Sequence, residues 1–301
     1  MCYVRFRTPM PFAKKGLKPP PLLPLRKRAN KFAAQSENMR WIKRIFIVAI
    51  SLYLLLLVGV FIAQERLLFL NEQLPETYQF RDGEEVELEV EKGIYLNCLW
   101  LKEPASKGVI LYLHGNKGSN RRCLRQAGTF RGQGYDVFMP DYRGFGKSDG
   151  EYRSEQQLYS DVQKVYDFLR QHYDESQIII AGYSLGSGLA TWLAANNNPS
   201  RVILVAPYVS MVYMKDKLFP FVPDFILKYP LRSDENLKQV KAPVTIIHGT
   251  EDELIPFESA EQLHQRFPGK TELVPVPGAG HRRVIFSNVL RDVVRQIAQR
   301  S

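Results

Sequence analysis

Cysteine is nearly missing from this chain. The three present, Cys2, Cys98 and Cys123, lie far apart, leave an odd one over and form no Cys-x-x-Cys or Cys/His cluster. Neither a disulfide framework nor a zinc site is indicated, and the thiols read as incidental. A nucleotide-binding glycine loop is missing too. "DYRGFGKSDG" contains Gly-Lys-Ser, but the glycine expected five positions before Gly146 is Asp141, and a third glycine after Gly144 and Gly146 would fall on Asp149. Neither phosphate-binding fingerprint is complete, so a tight loop closing the strand "YDVFMP" accounts better for these residues. No internal repeat is present.

Excess charge of one sign is missing from the body. The formal net charge is +10, yet residues 1–44 hold twelve Lys/Arg against the single acid Glu37, whereas residues 45–301 carry 29 basic and 30 acidic groups. A nearly neutral body offers no electrostatic footprint for nucleic acid. Long apolar runs are absent with one exception, "IFIVAISLYLLLLVGVFIA" from Ile45 to Ala63, which has no charge over 19 residues and is bracketed by Lys43-Arg44 and Glu65-Arg66. As a helix it would extend about 28 Å, close to the hydrocarbon thickness of a bilayer. A buried core helix with no polar stripe over five turns would be unusual, and Phe61-Ile62-Ala63 lacks the small residues of a signal-peptide cleavage site.

The run is therefore expected to be a retained transmembrane helix over residues 45–63. The basic residues before it hold the N-terminus in the cytoplasm and place the C-terminal domain on the periplasmic, lumenal or extracellular side. Residues 1–44 are expected to form a basic, disordered tail. Because "MRWIKR" at Met39 would itself start a normal signal anchor, residues 1–38 also read as an upstream extension that is not always made.

Past a linker over residues 64–85 the pattern alternates. "EVELEV" and "IYLNCLWL" read as two strands around Lys92-Gly93. Then come "GVILYLHG", a helix from Asn120 to Gln133, "YDVFMP", a helix from Ser154 to His172, "QIIIAG", a helix from Leu185 to Asn196, "RVILVA", "VTIIHG", a helix from Glu258 to Phe267, "TELVPV" and a last helix from about Val284. Short apolar strands separated by helices imply an α/β fold, a mostly parallel sheet covered on both faces. In such a sheet the ligand site lies beyond the carboxyl ends of the strands. Four polar motifs fall there: "HGNKG", "DYRGFGKSDG", "GYSLGSG" and "HGTEDELIP".

"GYSLG" matches Gly-x-Ser-x-Gly with Gly182, Ser184 and Gly186, between a strand and a helix. The small flanking residues let strand and helix close up while the Ser184 hydroxyl projects above the sheet, which favours a nucleophile over a turn residue. A serine needs a base, and five histidines are available. His172 and His264 fall on amphipathic helices as surface residues, and His114 and His248 precede glycines at strand ends, where a structural hydrogen bond is expected. His281 alone follows the last strand in the glycine-rich loop "PGAGH", from which it would reach Ser184. Its acid partner should follow the preceding strand. Asp252 is chosen because the order Ser184, Asp252, His281 matches that of one class of serine hydrolases, and Glu251 stays open. Oxyanion donors would be the N–H of Leu185, at the amino end of its helix, and that of Asn116, beside Lys117.

In this order the four motifs resemble the α/β-hydrolase family over roughly Val86 to Leu290. With the amino-terminal anchor they look like its single-span, membrane-anchored branch, which includes the bacterial YfhR-type hydrolases. The resemblance implies an α/β-hydrolase domain over residues 86–301, with Ser184 as nucleophile, His281 as base, Asp252 as acid, and Asn116 and Leu185 as the oxyanion hole. It implies no metal or organic cofactor and does not specify a substrate. Residues 207–243, rich in aromatics, methionine and proline, stand where the family carries a cap. They are expected to form a short apolar lid over a pocket for an acyl chain, or else to pack on the core. Arg282 and Arg283 read as solvated residues or as a preference for an anionic substrate such as a phospholipid. The expectation is thus a membrane-anchored serine hydrolase cleaving carboxylic ester or thioester bonds of small-molecule or lipid acyl substrates. A peptidase of the same fold and a catalytically silent binding protein are its rivals.

Overall fold

The computed structural model describes residues 23–300. The chain divides into two compact units between Leu56 and Leu57. Helix α1 (Leu23–Leu68) begins in the first and ends in the second. Residues 23–44, expected to be irregular, are helical, and residues 1–22 of the expected tail lie outside the described residues. Over the apolar run most side chains are exposed, among them Ile45, Phe46, Ile47, Leu55 and Ile62. This is one helix long and apolar enough to cross a membrane.

After α1 the second unit contains β1 (Leu70–Asn71), the hairpin β2 (Glu84–Glu91) and β3 (Ile94–Leu101), β4 (Val109–Leu113), β5 (Lys117–Gly118), α2 (Asn120–Ala127), β6 (Asp136–Pro140), α3 (Glu155–Leu169), β7 (Ile178–Tyr183), α4 (Leu185–Asn196) and β8 (Arg201–Val205). Then follow α5 (Met211–Leu218), α6 (Ser233–Asn236), β9 (Val244–Gly249), α7 (Glu258–Arg266), β10 (Thr271–Val276), α8 (His281–Val284) and α9 (Asn288–Arg300). Helix α2 stops at Ala127, six residues short of the expected end, because Gly132 and Gly134 adopt left-handed backbone that a helix excludes.

Eight strands form one sheet in the order β10-β9-β8-β7-β4-β6-β3-β2. The hairpin and the β3–β6 pair are antiparallel; every other pairing in that sheet is parallel. The β-branched strands send alternate side chains into two cores. Val109, Leu111, Leu113, Ile178 and Ile180 face Leu158, Val162, Leu189 and Leu193 of α3 and α4. Ile110, Tyr112, Ile179 and Ala181 face Cys123 and Ala127 of α2 and Leu290 and Val294 of α9. From β4 the chain goes first to β6 on one side and then to β7 on the other, so the loops after β4 and β7 lie side by side at the point where winding reverses.

Two segments depart from the sequence reading. The expected linker belongs to the body: β1 pairs in parallel with β5, Leu70 with Lys117 and Asn71 with Gly118, and Phe69 and Leu74 are buried. Residues 207–243 hold the end of α1. Gln64 Nε2 donates to the Ile226 carbonyl at 2.8 Å, the Lys228 N–H donates to Gln64 Oε1 at 2.8 Å, and Lys228 Nζ lies 2.9 Å from Glu65 Oε1.

Candidate active site

Ser184 stands between β7 and α4 with φ 51° and ψ −117°, a left-sided backbone that a side-chain-bearing residue adopts only when its surroundings force it. The forcing is steric. A Cβ on Gly182 would meet the Gly186 carbonyl, and one on Gly186 would meet the Leu113 carbonyl, so glycine at both positions lets α4 close onto β7 and β4. The Ser184 N–H donates to the Val205 carbonyl at 3.0 Å, and its carbonyl accepts from Ser187 Oγ at 2.6 Å. The corner is fastened at both ends.

The structure brings Ser184, His281 and Asp252 together. His281 Nε2 lies 3.0 Å from Ser184 Oγ, and His281 Nδ1 lies 2.8 Å from Asp252 Oδ2. A carboxylate accepts, so Nδ1 carries the hydrogen and Nε2 is left to accept from the serine hydroxyl. All three residues are buried. Asp252 Oδ1 accepts the Leu254 and Ile255 N–H groups at 2.9 and 2.8 Å, which fixes the carboxylate in its turn. Burial pushes the Asp252 carboxyl up, but hydrogen bonds from His248 and His281, the His281 charge and the Ile255 N–H outweigh it and hold the group well below the usual carboxylate range. Glu251 is exposed and is not placed at His281.

Two supports complete the site: His248 makes the structural hydrogen bond expected of it and reaches Asp252 besides, and Tyr183 was not singled out from the sequence. His248 Nε2 lies 2.8 Å from the Ile255 carbonyl and 3.2 Å from Asp252 Oδ2, two acceptors, so it donates to both and clamps the turn that carries Asp252. Its position four residues before Asp252 was a usable signal once both were placed at the same strand end. Tyr183 stacks on His281 with ring centroids 5.4 Å apart, and its hydroxyl donates to the His281 carbonyl at 3.0 Å. His114 does make its expected structural bond: Nδ1 donates to the Gly115 carbonyl at 2.6 Å, and its own carbonyl accepts from Tyr142 at 2.8 Å. Its ring is 3.4 Å from buried Asp141, whose carboxyl is pushed up by burial and partly restrained by that imidazole. His172 is exposed against Trp100, and His264 is bonded to Thr271, both outside the site.

Gly115 and Asn116, at the end of β4, share a cleft of about 540 Å³ with Ser184 and His281. The Asn116 carbonyl accepts from Leu70 N at 2.8 Å, so β1 holds the backbone of this loop, while the Asn116 N–H has no protein acceptor among the described residues. The Leu185 N–H belongs to the first turn of α4, whose N–H groups lack intrahelical partners. The cleft is further lined by Leu67, Leu70, Leu254 and Phe286. No residue of 207–243 lines it, so the expected lid does not cover this cleft; that segment packs around α1 and the core instead. Among the described residues no group of His, Cys, Asp and Glu is arranged to hold a metal ion.

Comparison with known proteins agrees with this fold. The serine aminopeptidase S33 family model matches residues 104–233. The chain is 31% identical over 224 residues to alpha/beta hydrolase domain-containing protein 17C of Xenopus laevis, covering 72% of this chain and 71% of that protein. It is 30% identical over 224 residues to an uncharacterised protein of Mycobacterium tuberculosis strain H37Rv, covering 71% and 78% respectively. In fold it is similar to an esterase of Pyrococcus furiosus, with a TM-score of 0.62, 20% identity, and coverage of 77% of this chain and 97% of that one. It is also similar to Est1E of Butyrivibrio proteoclasticus with bound ferulic acid, at a TM-score of 0.57, 20% identity, and coverage of 71% and 98%.

Proposed function

The chain belongs to the α/β-hydrolase family, and from that premise we propose that it is a membrane-anchored serine hydrolase of carboxylic esters or thioesters. One observation carries the reading: His281 Nε2 stands 3.0 Å from Ser184 Oγ while its other nitrogen is held 2.8 Å from Asp252. In the proposed reaction His281 takes the Ser184 proton as Oγ attacks the carbonyl carbon, and the N–H groups of Asn116 and Leu185 receive the oxyanion. The tetrahedral adduct expels the alcohol or thiol, which leaves with the proton from His281. Water then repeats the sequence on the acyl-enzyme and releases the acid. Asp252 keeps His281 in the right tautomer and stabilises its charged form; Tyr183 holds the His281 ring, and His248 the turn that carries Asp252. The apolar run of α1 supports a single span in the membrane-anchored branch of the family, with the basic residues before it on the cytoplasmic side and the catalytic domain opposite.

The matching family model favours a second reading, an aminopeptidase. Such an enzyme must bind a substrate ammonium beside the scissile bond, which calls for a carboxylate in the cleft. No Asp or Glu is among the lining residues, which instead include Lys117, Arg122, Arg125 and Arg282. This favours the esterase.

The test is labelling of the detergent-solubilised chain by a fluorophosphonate probe, with Ser184→Ala and His281→Ala alongside. The wild type alone should be labelled, and each substitution should lower ester hydrolysis by at least about 10⁴-fold. A folded wild type that resists the probe would return the chain to the silent binding protein.

A further inference from the structure

The cleft that contains Ser184 is charged on one side only. Lys117 from β5, Arg122 and Arg125 from α2, and Arg282 from α8 line it, and no acid does. Arg122 and Arg125 are three positions apart, which puts both on the same face of α2. None of the four makes an ion pair among the described residues, whereas the adjacent Arg121 pairs with Glu72 outside the cleft. Arg283, next to Arg282, does not line the cleft. Burial, then the Asp252 charge, push the Tyr183 hydroxyl up, and Arg122 and Arg282 pull it back only in part. Uncompensated like charges in a partly enclosed cleft repel one another and raise the local concentration of anions. Nothing in a neutral ester would use them.

Resting on the serine-hydrolase reading, we infer that the substrate carries an anionic phosphate-type group on its alcohol or thiol side, received by Arg122, Arg125, Lys117 and Arg282. The side follows from the chemistry. The leaving oxygen or sulfur must collect its proton from His281 Nε2, and Arg282 is the next residue in the chain. The acyl chain then takes the apolar lining. The atoms balance without a co-reactant other than water: the Ser184 Oγ–acyl bond forms as the acyl–oxygen bond breaks, the phosphate-bearing alcohol leaves with the serine proton, and water restores the serine while releasing the fatty acid.

The experiment compares decanoylglycerol with its phosphate ester, decanoylglycerol phosphate, on the full solubilised chain. The two share the acyl chain and the scissile ester. The phosphate ester should have kcat/KM about tenfold or more higher, mainly through KM, because several weak screened contacts add. That ratio should shrink between about 50 mM and about 500 mM salt. Arg122→Glu with Arg125→Glu should bring the ratio to one or below, and Arg283→Glu, a charge reversal just outside the cleft, should leave it alone. The salt dependence of the wild type keeps the test valid if the double variant does not fold. Decanoyl-coenzyme A separates the sources: a preference for it over the glycerol phosphate assigns the anion to a soluble carrier, and the reverse to a lipid headgroup. A ratio near one in the wild type, or one indifferent to salt and to the charge reversal, overturns the inference. Absent probe labelling of Ser184 would instead overturn the hydrolase reading beneath it.

Discussion

At the scale of single residues, Ser184 bears the cost of its own placement. Its backbone angles lie where a Cβ is unfavourable, a strain worth about 1–3 kcal/mol. Ser184→Gly should therefore melt at a higher temperature than Ser184→Ala, both being inactive; equal melting temperatures would show that no strain is stored there. Asp252 and His248 make a second pair of expectations. The Asp252 carboxyl is depressed on folding, so its contribution to stability is complete above the ordinary carboxylate pKa of about 3.9 and is lost as pH falls through the lower folded value. His248 contributes to that depression. His248→Phe should raise the folded value, so that the variant has less of this stability to lose in acid and its loss levels off at higher pH than in wild type. It should also lower kcat about tenfold through the loosened Asp252, with His248→Gln recovering part of both. An unchanged acid limb would remove His248 from this role. Ser184, Asp252 and His281 could be picked from the chain because each sits at a strand end in a fixed order. His248 was legible as a strand-end histidine with a structural hydrogen bond, but not as a partner of Asp252, since that contact depends on how the intervening turn folds back.

At the scale of elements, the strand–turn–helix around Ser184 depends on close approach. Gly186→Ala would drive a methyl into the Leu113 carbonyl and lift α4 from β4. The expected cost is about 1–3 kcal/mol, and the melting temperature should fall by roughly 2–4 °C per kcal/mol in a domain of this size. Probe labelling should fall further than that loss implies, because the same displacement moves Ser184 and the Leu185 N–H away from His281; labelling at the wild-type rate would contradict it. The strands and most helices were readable because each announces itself locally, as "IIIAGY" does by three isoleucines before glycine. The segment 207–243 was not. Its aromatic composition fits a lid and a packing surface equally, and what decides between them is Gln64 and Glu65, more than 160 positions away in sequence.

At the scale of the whole chain, helix α1 leads through strand β1 into the cleft. A short strand of two residues has no periodicity to detect, and its partner lies 47 positions on, so residues 64–85 looked like a linker. In the structure they wall the cleft with Leu67 and Leu70 and hold the Asn116 backbone. A chain beginning at residue 64 should keep much of its probe reactivity in detergent, whereas one beginning at residue 76 should lose most of it while the sheet still folds. Similar reactivity of the two would make β1 dispensable. Of the cationic side of the cleft only Arg282 was in view, as one of two arginines after the histidine, because Lys117 and the α2 pair Arg122 and Arg125 come from other segments and are outnumbered by ordinary surface charges.

The short reach from the apolar run to the cleft decides how a membrane-anchored enzyme of this kind would meet its substrate. Leu67 follows Ala63 by four residues, about 6 Å along a helix, so with the apolar run in a bilayer the cleft has almost no stand-off from the surface. The search becomes two-dimensional. In reconstituted vesicles turnover of a lipid ester should follow its mole fraction in the membrane and ignore dilution of the vesicles themselves, and a rate that fell with dilution would place the substrate in solution.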